Sequence, residues 1–221
     1  MATIGIMGGT FNPIHIGHIK IAEAAYTQFY LDEIWFMPNH IPAYKSEDII
    51  VSGEDRLAMV ELAIQDIPHF KSSDFELKRE GNTYTAETLQ LLKQKYPKDI
   101  FYFIMGADSL FQFDKWKDAE MIPGYAELLI APRDGKSINR IEQQIGKLNT
   151  RYGKNCFHLL QCKEIPCSSS NIRESFYQNL SREENISQKT LHSKNVNSND
   201  PLQYLPDLVY KYIIKKHLYE E

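Results

Sequence analysis

Short apolar runs separated by amphipathic stretches make up most of the chain before residue 165. The strongest run, DIFYFIMGAD, has the length and composition of a strand buried on both faces. Runs of the same kind predict further strands at residues 3–7, 33–38, 70–77, 127–135 and 156–161. Because strands and helices alternate with short connections, the pattern predicts a doubly wound, Rossmann-like α/β sheet of five or six parallel strands.

Helical spacing of apolar residues fills the intervals between the predicted strands. One helix is predicted from Gly17 onward, and another begins at Ser52, which forms a capping box with Asp55. A third helix is predicted in AETLQLLKQKY, where Thr83 or Thr85 would supply the N-cap. Ligands bind at the carboxyl ends of strands in such sheets, so the turns after the first, second and fourth strands form the expected site.

Changes in composition divide the chain into three segments. Residues 1–178 are predicted to form a single α/β domain. Residues 179–200 are polar and rich in Ser and Asn, which predicts a surface insertion. Residues 201–221 regain helical periodicity around Pro206 and are predicted to form a C-terminal helix packed on the same domain.

The composition is that of an ordinary globular protein, with 43% hydrophobic and 24% charged residues and a formal net charge of −4. A protein that depends on contacts with a nucleic-acid backbone is usually basic, so no nucleic-acid partner is predicted. The 3 cysteines lack CxxC spacing and indicate neither a disulfide framework nor a zinc cluster, which favours the cytoplasm. No signal peptide or membrane span is recognisable, so no membrane partner is predicted.

The stretch GGTFNPIHIGH, residues 8–18, joins the first predicted strand to the first helix. Its glycines would let backbone N–H groups approach an anion near the helix N-terminus. The spacing matches neither GxGxxG nor the P-loop, so neither hydride transfer nor Walker-type phosphate binding is indicated. His15 and His18 have three interpretations: turn and cap residues, metal ligands, or hydrogen-bond donors to phosphate oxygens.

This stretch resembles the nucleotidylyltransferase superfamily, and specifically the bacterial nicotinate (nicotinamide) mononucleotide adenylyltransferases, whose pattern is GGTF[D/N]PxHxGH. Class I aminoacyl-tRNA synthetases share the HIGH letters, but this chain is too short for a whole synthetase, and the GGTF opening belongs to the small transferases. Further segments resemble the same family in order: PNHIPAYK, GNTYTAETL, GADSL and SSSNIR. The resemblance spans residues 4–173, and YLPDLVYKYI resembles the family's usual ending.

The resemblance implies transfer of AMP from ATP to nicotinate mononucleotide, with release of pyrophosphate, in NAD biosynthesis. Such an enzyme positions its substrates and stabilises charge on the phosphates. By resemblance, the catalytic residues are His15, His18, Lys45 and Arg173. ATP would be bound by Gly8, Gly9, Thr10, Phe11, Gly106, Asp108, Ser168 and Ser169, and the mononucleotide by Thr85 and Trp116.

The resemblance also implies what several of these side chains contribute. Lys45 would bring a point charge to the phosphates, and Arg173 a planar fork across the β and γ oxygens. Asp108 would accept from a ribose hydroxyl, cap the following helix, or do both. Trp116 would stack on the pyridine ring, while Thr85 and its neighbours would offer backbone N–H groups to the nicotinate carboxylate. Mg²⁺ is expected with ATP, held by phosphates and water, so no protein metal site is predicted.

Three positions depart from the family pattern. Asn12 stands where Asp is commoner, and Ala43 and Tyr44 stand where Pro and His are usual.

Two alternatives to AMP transfer onto nicotinate mononucleotide stay open. One is the same transfer to nicotinamide mononucleotide or phosphopantetheine, and the other is a nucleotide-binding protein without catalysis. The sequence leaves open whether the chain is a monomer or a homodimer.

Overall fold

The computed structural model describes residues 1–40, 50–132, 135, 137–183 and 200–220. A parallel sheet of 6 strands forms its centre, in the order β3-β2-β1-β4-β5-β6. The strands are β1 (Thr3–Gly9), β2 (Glu33–Pro38), β3 (Phe70–Ser72), β4 (Ile100–Gly106), β5 (Ala126–Ala131) and β6 (Phe157–Leu159). The predicted doubly wound α/β class is confirmed, with the reversal of strand order between β1 and β4.

Seven helices accompany the strands in the described part of the chain. They are α1 (Ile16–Gln28), α2 (Gly53–Ile64), α3 (Thr85–Lys95), α4 (Ala107–Gln112), α5 (Ile138–Tyr152), α6 (Ser169–Glu183) and α7 (Asp207–Lys216). Short 3-10 helices lie at Phe113–Lys115, Ala119–Gly124 and Pro201–Tyr204. None of the helices within the described ranges is long and apolar enough to cross a membrane.

Alternation along the central strands sends side chains to two separate hydrophobic cores. In β4, Phe101, Phe103 and Met105 enter one core, while Ile104 enters the other. The core around Ile104 is covered by α1, α2, α6 and α7, and the opposite core by α3, α4 and α5. Both faces of the sheet are therefore buried, which explains why its strands are almost continuously apolar.

Only the Ser52 half of the capping box predicted for α2 is confirmed, in which the Ser52 hydroxyl accepts a hydrogen bond from the Asp55 N–H at 3.0 Å. The Asp55 carboxylate accepts from the same hydroxyl at 2.6 Å and does not complete the box on the Ser52 N–H. The N-cap predicted for α3 is wrong. Tyr84 occupies that position and makes no side-chain cap bond. The Thr83 hydroxyl instead donates to Glu76 at 3.1 Å, and Thr85 is the first residue of the helix.

The third strand is much shorter than predicted, because β3 ends at Ser72 and not at Leu77. Beyond it, the Lys78 N–H donates to the carbonyl of Asp74 at 3.1 Å, and their side chains form an ion pair at 2.7 Å. This helical turn replaces the second half of the predicted strand. As a result it brings Glu76 to the carboxyl edge of the sheet.

The C-terminal elements pack on the α/β layers. The Tyr212 hydroxyl of α7 donates to the Asp55 carboxylate of α2 at 2.8 Å. Helix α6 runs to Glu183, past the predicted boundary at residue 178. The rest of the predicted insertion, residues 184–199, lies outside the described residues, so the division into three segments stays a prediction.

Candidate active site

A cleft of about 390 Å³ opens at the carboxyl edge of the sheet, where β1 and β4 end beside the start of α6. Most of the residues expected to bind substrate line it. They are Gly8, Gly9, Thr10, Phe11, His18, Thr85, Gly106, Asp108, Trp116, Ser168 and Ser169. His15 and Arg173 are not among the lining residues, and Lys45, Ala43 and Tyr44 lie outside the described residues.

The two histidines cap the start of α1 for one another. His15 is the N-cap, with extended backbone, and its N–H donates to Nδ1 of His18 at 3.2 Å. The ring centroids of the pair are 3.8 Å apart, and the Phe11 ring lies edge-on to His18 at 5.2 Å. His18 lines the cleft, whereas His15 is only 2% exposed and borders a small cavity behind it. Because Nδ1 of His18 is an acceptor, a neutral ring carries its proton on Nε2.

Gly17 is required by its closeness to the buried histidine. A Cβ at this position would lie 2.9 Å from both Cε1 and Nδ1 of the His15 ring. Any larger residue would therefore displace the imidazole or the first turn of α1. The glycine of the HIGH motif thus has a packing role that is independent of any ligand.

A buried arginine connects the two loops at the ends of β1 and β2. Arg56 is 1% exposed, and its guanidinium donates to the carbonyls of Thr10 at 2.9 Å, Asn39 at 2.8 Å and His40 at 3.0 Å. Burial lowers the pKa of Arg56 from its ordinary value, yet an arginine remains charged at neutral pH. The bond to the Thr10 carbonyl fixes the backbone directly before Phe11, whose φ of 49° is left-handed.

Helix α6 holds the next part of the same turn. Nη1 of Arg173 donates to the Asn12 carbonyl at 2.7 Å, and the Ser169 hydroxyl donates to the Pro13 carbonyl at 2.8 Å. The Asn12–Pro13 peptide is cis. Arg173 thus contacts the back of the turn, and its buried Nε has no hydrogen-bond partner among the described residues. The carbonyls of the turn are bound by side chains behind it, while residues 8–11 line the cleft in front.

The far wall of the cleft contains a partly buried carboxyl group. Glu76 accepts from the hydroxyls of Thr88 at 2.6 Å and Thr83 at 3.1 Å. Burial raises the pKa of Glu76 above its ordinary value of 4.5, and these two hydrogen bonds and the charge of Arg79 oppose the rise. The carboxyl therefore ties the turn that precedes α3 to the body of that helix.

Trp116 and Asp108 lie in the part of the cleft formed after β4. The indole of Trp116 is partly buried, edge-on to Phe103 at 6.1 Å and tilted against Phe113 at 5.6 Å, so one part of it remains open to the cleft. Asp108 is exposed in the first turn of α4. The N-cap interpretation of Asp108 is wrong, because Gly106 is the cap, and the carboxylate is available to a ligand.

Sequence reasoning misses several residues of this site. Glu76 falls within a predicted strand, and Arg56 lies on a helix whose periodicity does not distinguish it from a surface arginine. Asn39, Thr83 and Ser170 also line the cleft. A buried arginine among apolar neighbours leaves no local signal, because its acceptors come from other segments of the chain.

The cleft is lined by groups that can donate hydrogen bonds to an anion. Among the described residues, no group of three or more His, Cys, Asp or Glu side chains could hold a metal ion. The donors are instead hydroxyls, an imidazole and the start of a long helix. Backbone and helix N-termini of this kind bind phosphate groups, since their N–H dipoles converge on negative charge.

Comparison with known proteins agrees with the fold and the motifs. A model of the cytidylyltransferase-like family matches residues 6–175, and the chain belongs to that family. Over 220 residues it is 43% identical to a probable nicotinate-nucleotide adenylyltransferase of Lachnoclostridium phytofermentans, covering 99% of this chain and 100% of the relative. It is 36% identical over 221 residues to the nicotinate-nucleotide adenylyltransferase of Bacillus subtilis, with both chains covered completely. Within the wider family, this chain therefore groups with the nicotinate-nucleotide adenylyltransferases.

The fold also matches solved structures. The nicotinic acid mononucleotide adenylyltransferase of Plasmodium falciparum, complexed with NaAD, superposes with a TM-score of 0.73 and 22% sequence identity. The match covers 100% of this chain and 98% of that one. At this identity the likeness concerns the fold.

Proposed function

We propose that this protein transfers AMP from ATP to nicotinate mononucleotide, giving nicotinate adenine dinucleotide and pyrophosphate. The observation that carries the proposal is the cleft at the carboxyl ends of β1 and β4, which has the motif GGTFNPIHIGH on one wall and Trp116 on the other. Full-length likeness to nicotinate-nucleotide adenylyltransferases supports the same conclusion.

In this proposal ATP lies along the turn of residues 8–11 and the start of α6. Ser168 and Ser169 lie in the cleft beside the first N–H groups of α6, where the β and γ oxygens would be bound. Arg173 would support them from behind the turn, through its bond to Asn12 and its positive charge. Asp108, exposed at the end of β4, would accept from a ribose hydroxyl.

The mononucleotide 5′-phosphate oxygen would attack the α-phosphorus of ATP. The new P–O bond forms as the bond to the bridging oxygen breaks, and pyrophosphate leaves with that electron pair. Nε2–H of His18 would donate to the phosphate oxygens as their charge builds up. His15, packed against the His18 ring, would hold that imidazole in place, and Lys45 would add a positive charge from the following loop.

The nicotinate ring would bind between Trp116 and the turn before α3. Stacking on the indole supplies affinity for any pyridine ring, whereas N–H groups near Thr85 would recognise the carboxylate. Glu76 would act through Thr83, by fixing the conformation of that turn. The pocket is thus suited to a mononucleotide whose ring bears an acidic group.

Nucleotidyl transfer from ATP generally uses a divalent cation, and we propose Mg²⁺ here. Bound by phosphate oxygens and water, it would neutralise charge on the triphosphate. The donor set of the cleft fits such a metal, because the hydroxyls, the imidazole and the start of α6 would bind phosphate oxygens and leave the cation to the nucleotide.

We further propose a cytoplasmic location. The three cysteines, Cys156, Cys162 and Cys167, are all free thiols, which suits a reducing compartment. Sedimentation equilibrium of the purified protein would determine its assembly state.

The decisive experiment measures pyrophosphate release from Mg-ATP with nicotinate mononucleotide and nicotinamide mononucleotide side by side. Controls contain no acceptor, or phosphopantetheine. We expect turnover with the acid form to exceed that with the amide form. Turnover of neither mononucleotide would overturn the assignment of substrate, and ATP binding without turnover would indicate a nucleotide-binding protein.

A further inference from the structure

The last residues of the chain reach the turn that carries the GGTF motif. The Tyr219 hydroxyl donates to Oδ1 of Asn12 at 2.7 Å, across 207 residues of sequence. Both side chains are buried, with Tyr219 5% and Asn12 3% exposed. This bond is a direct polar connection between the C-terminal segment and the turn that forms the wall of the cleft.

The backbone after α7 is shaped to bring Tyr219 inward. His217 and Tyr219 both have left-handed φ values, of 53° and 65°. For residues other than glycine this conformation is uncommon and costs free energy, so it persists only where other contacts compensate. The Tyr219 ring packs near Phe176 of α6, with centroids 6.1 Å apart, and its hydroxyl bonds to Asn12.

Asn12 is held from three sides. Its side-chain Oδ1 accepts from Tyr219 and also from the Val51 N–H at 3.3 Å, and its carbonyl accepts from Arg173. Burial raises the pKa of Tyr219 far above its ordinary value of 10.0, although the charges of Arg173 and Arg56 act in the opposite direction. The hydroxyl is therefore protonated at neutral pH and remains a donor.

The position of Asn12 bears directly on the site. Phe11, directly before Asn12, lines the cleft and contacts the His18 ring. His15, three residues after Asn12, caps the helix that contains His18. A shift of Asn12 would therefore move the phosphate-binding wall relative to the imidazole. Small displacements of this kind cost rate, because the reacting groups must meet within a narrow range of distance and angle.

We propose that Tyr219 is a positioning residue for the catalytic turn, whose hydroxyl fixes Asn12 and thereby keeps the wall at Phe11 aligned with His18. The inference rests on the proposed function. It makes the C-terminal segment part of the reaction apparatus, although Tyr219 does not line the cleft and would not touch substrate.

The test compares two tyrosines whose hydroxyls donate to different acceptors. Tyr219→Phe removes the hydroxyl on Asn12, and the matched Tyr212→Phe removes the hydroxyl on Asp55 of α2. We expect Tyr219→Phe to lower kcat about tenfold with KM for the mononucleotide nearly unchanged, on the scale of losing one of the two hydrogen bonds that hold the buried Oδ1 of Asn12. Tyr212→Phe should keep the wild-type kcat even if both variants lose similar amounts of Tm.

A double-mutant cycle tests whether the effect passes through Asn12. In an Asn12→Ala background, Tyr219→Phe should cause no further loss of kcat. Additive losses would contradict the proposal, as would a kcat for Tyr219→Phe within about twofold of wild type. Equal losses of kcat in the two tyrosine variants would show a purely structural role.

A spectroscopic measurement separates this proposal from the proposed function. In NMR spectra of the imidazole nitrogens, the His18 resonances, assigned with His18→Gln, should shift in Tyr219→Phe and stay in place in Tyr212→Phe. This result is expected whether or not the wild-type protein turns over either mononucleotide. Unshifted His18 resonances in Tyr219→Phe would overturn the positioning role of Tyr219. Absence of turnover in the wild-type protein would overturn only the assignment of the substrate.

Discussion

The main-chain N–H of His15 donates to Nδ1 of His18 at 3.2 Å, so the two histidines of the HIGH motif have different tasks. The bond uses the inner nitrogen of His18 for structure and leaves its outer nitrogen, Nε2, to act as a donor. His15 is buried behind it and supplies the cap of α1. A motif that presents two imidazoles in sequence thus presents mainly one of them to the cleft.

The two nitrogens of His18 can be separated by substitution. Glutamine keeps an N–H donor near the place of Nε2, whereas asparagine keeps an acceptor near the place of Nδ1. We expect His18→Ala to lower kcat by about 10²-fold or more, His18→Asn to be nearly as slow, and His18→Gln to keep the most activity. Steady-state kinetics with circular dichroism as a folding control would measure this. An Asn variant faster than the Gln variant would place catalysis elsewhere.

Gly17 should tolerate no side chain. Gly17→Ala would place a Cβ 2.9 Å from the His15 ring, which must move, and we expect kcat to fall about tenfold or more. Gly146→Ala in α5 is the matched control, because a Cβ added there would meet nothing within 4 Å. Alanine there should raise the free energy of unfolding by about 0.5–1 kcal/mol and leave kcat unchanged. A fully active Gly17→Ala would show that the position of His15 is unimportant.

Arg56 should be essential for stability because of its geometry as well as its charge. Arg56→Met leaves four loop carbonyls without their donor, and we expect the free energy of unfolding to drop by about 3 kcal/mol or more. Arg56→Lys, which keeps the charge but loses the fork, should recover only part of this. Urea denaturation would measure both, with the exposed Arg151→Met as control, expected within about 1 kcal/mol of wild type. Full rescue by lysine would refute the geometric argument.

Glu76 should make stability depend on pH. Burial raises its folded pKa above the ordinary value of 4.5, so the folded state binds more protons than the unfolded state between those two pKa values. Its contribution to stability is thus present below pH 4.5 and is lost as the pH rises through the folded pKa, with a slope of at most about 1.4 kcal/mol per pH unit. In Glu76→Gln this decline should disappear, as denaturation curves across that range would show. Identical pH profiles for the two proteins would contradict the raised pKa.

Trp116 should govern affinity for the mononucleotide and not for ATP. We expect Trp116→Ala to raise KM for the mononucleotide about tenfold, while Trp116→Phe, which keeps an aromatic face, should cost much less. Trp35→Phe is a suitable control, since Trp35 lies in β2, packed on Tyr96 and Phe101 and away from the cleft. Equal increases in KM for both substrates would argue against stacking on the pyridine ring.

Local patterns are informative wherever one segment of chain contains both partners of an interaction. Apolar runs locate the strands, because strands of a parallel sheet are buried on both faces. The Ser52 cap is recognisable because its partner is three residues away. Helix α5 was not predicted, although its buried residues Ile141, Ile145 and Leu148 recur at helical spacing in the sequence.

Errors arise where a segment's own preference is overridden by contacts from elsewhere. Residues 73–77 have the pattern of a strand, but β3 is an edge strand, and the chain leaves it in a turn that directs Glu76 toward α3. Thr83 has the position of a helix cap, yet its hydroxyl is taken by that same carboxyl. The wrong cap and the overlong strand therefore have one common cause.

Order along the chain was enough to predict the class of the sheet, the Ser52 cap of α2 and the motifs of the GGTF turn, because those features depend on residues a few positions apart. The support behind the turn was decided by the tertiary structure alone. Arg56, Arg173 and Tyr219 reach it from 46, 161 and 207 residues away. Hydrogen bonds over such separations leave no periodicity or spacing in the sequence, since the partners lie side by side only in the folded structure.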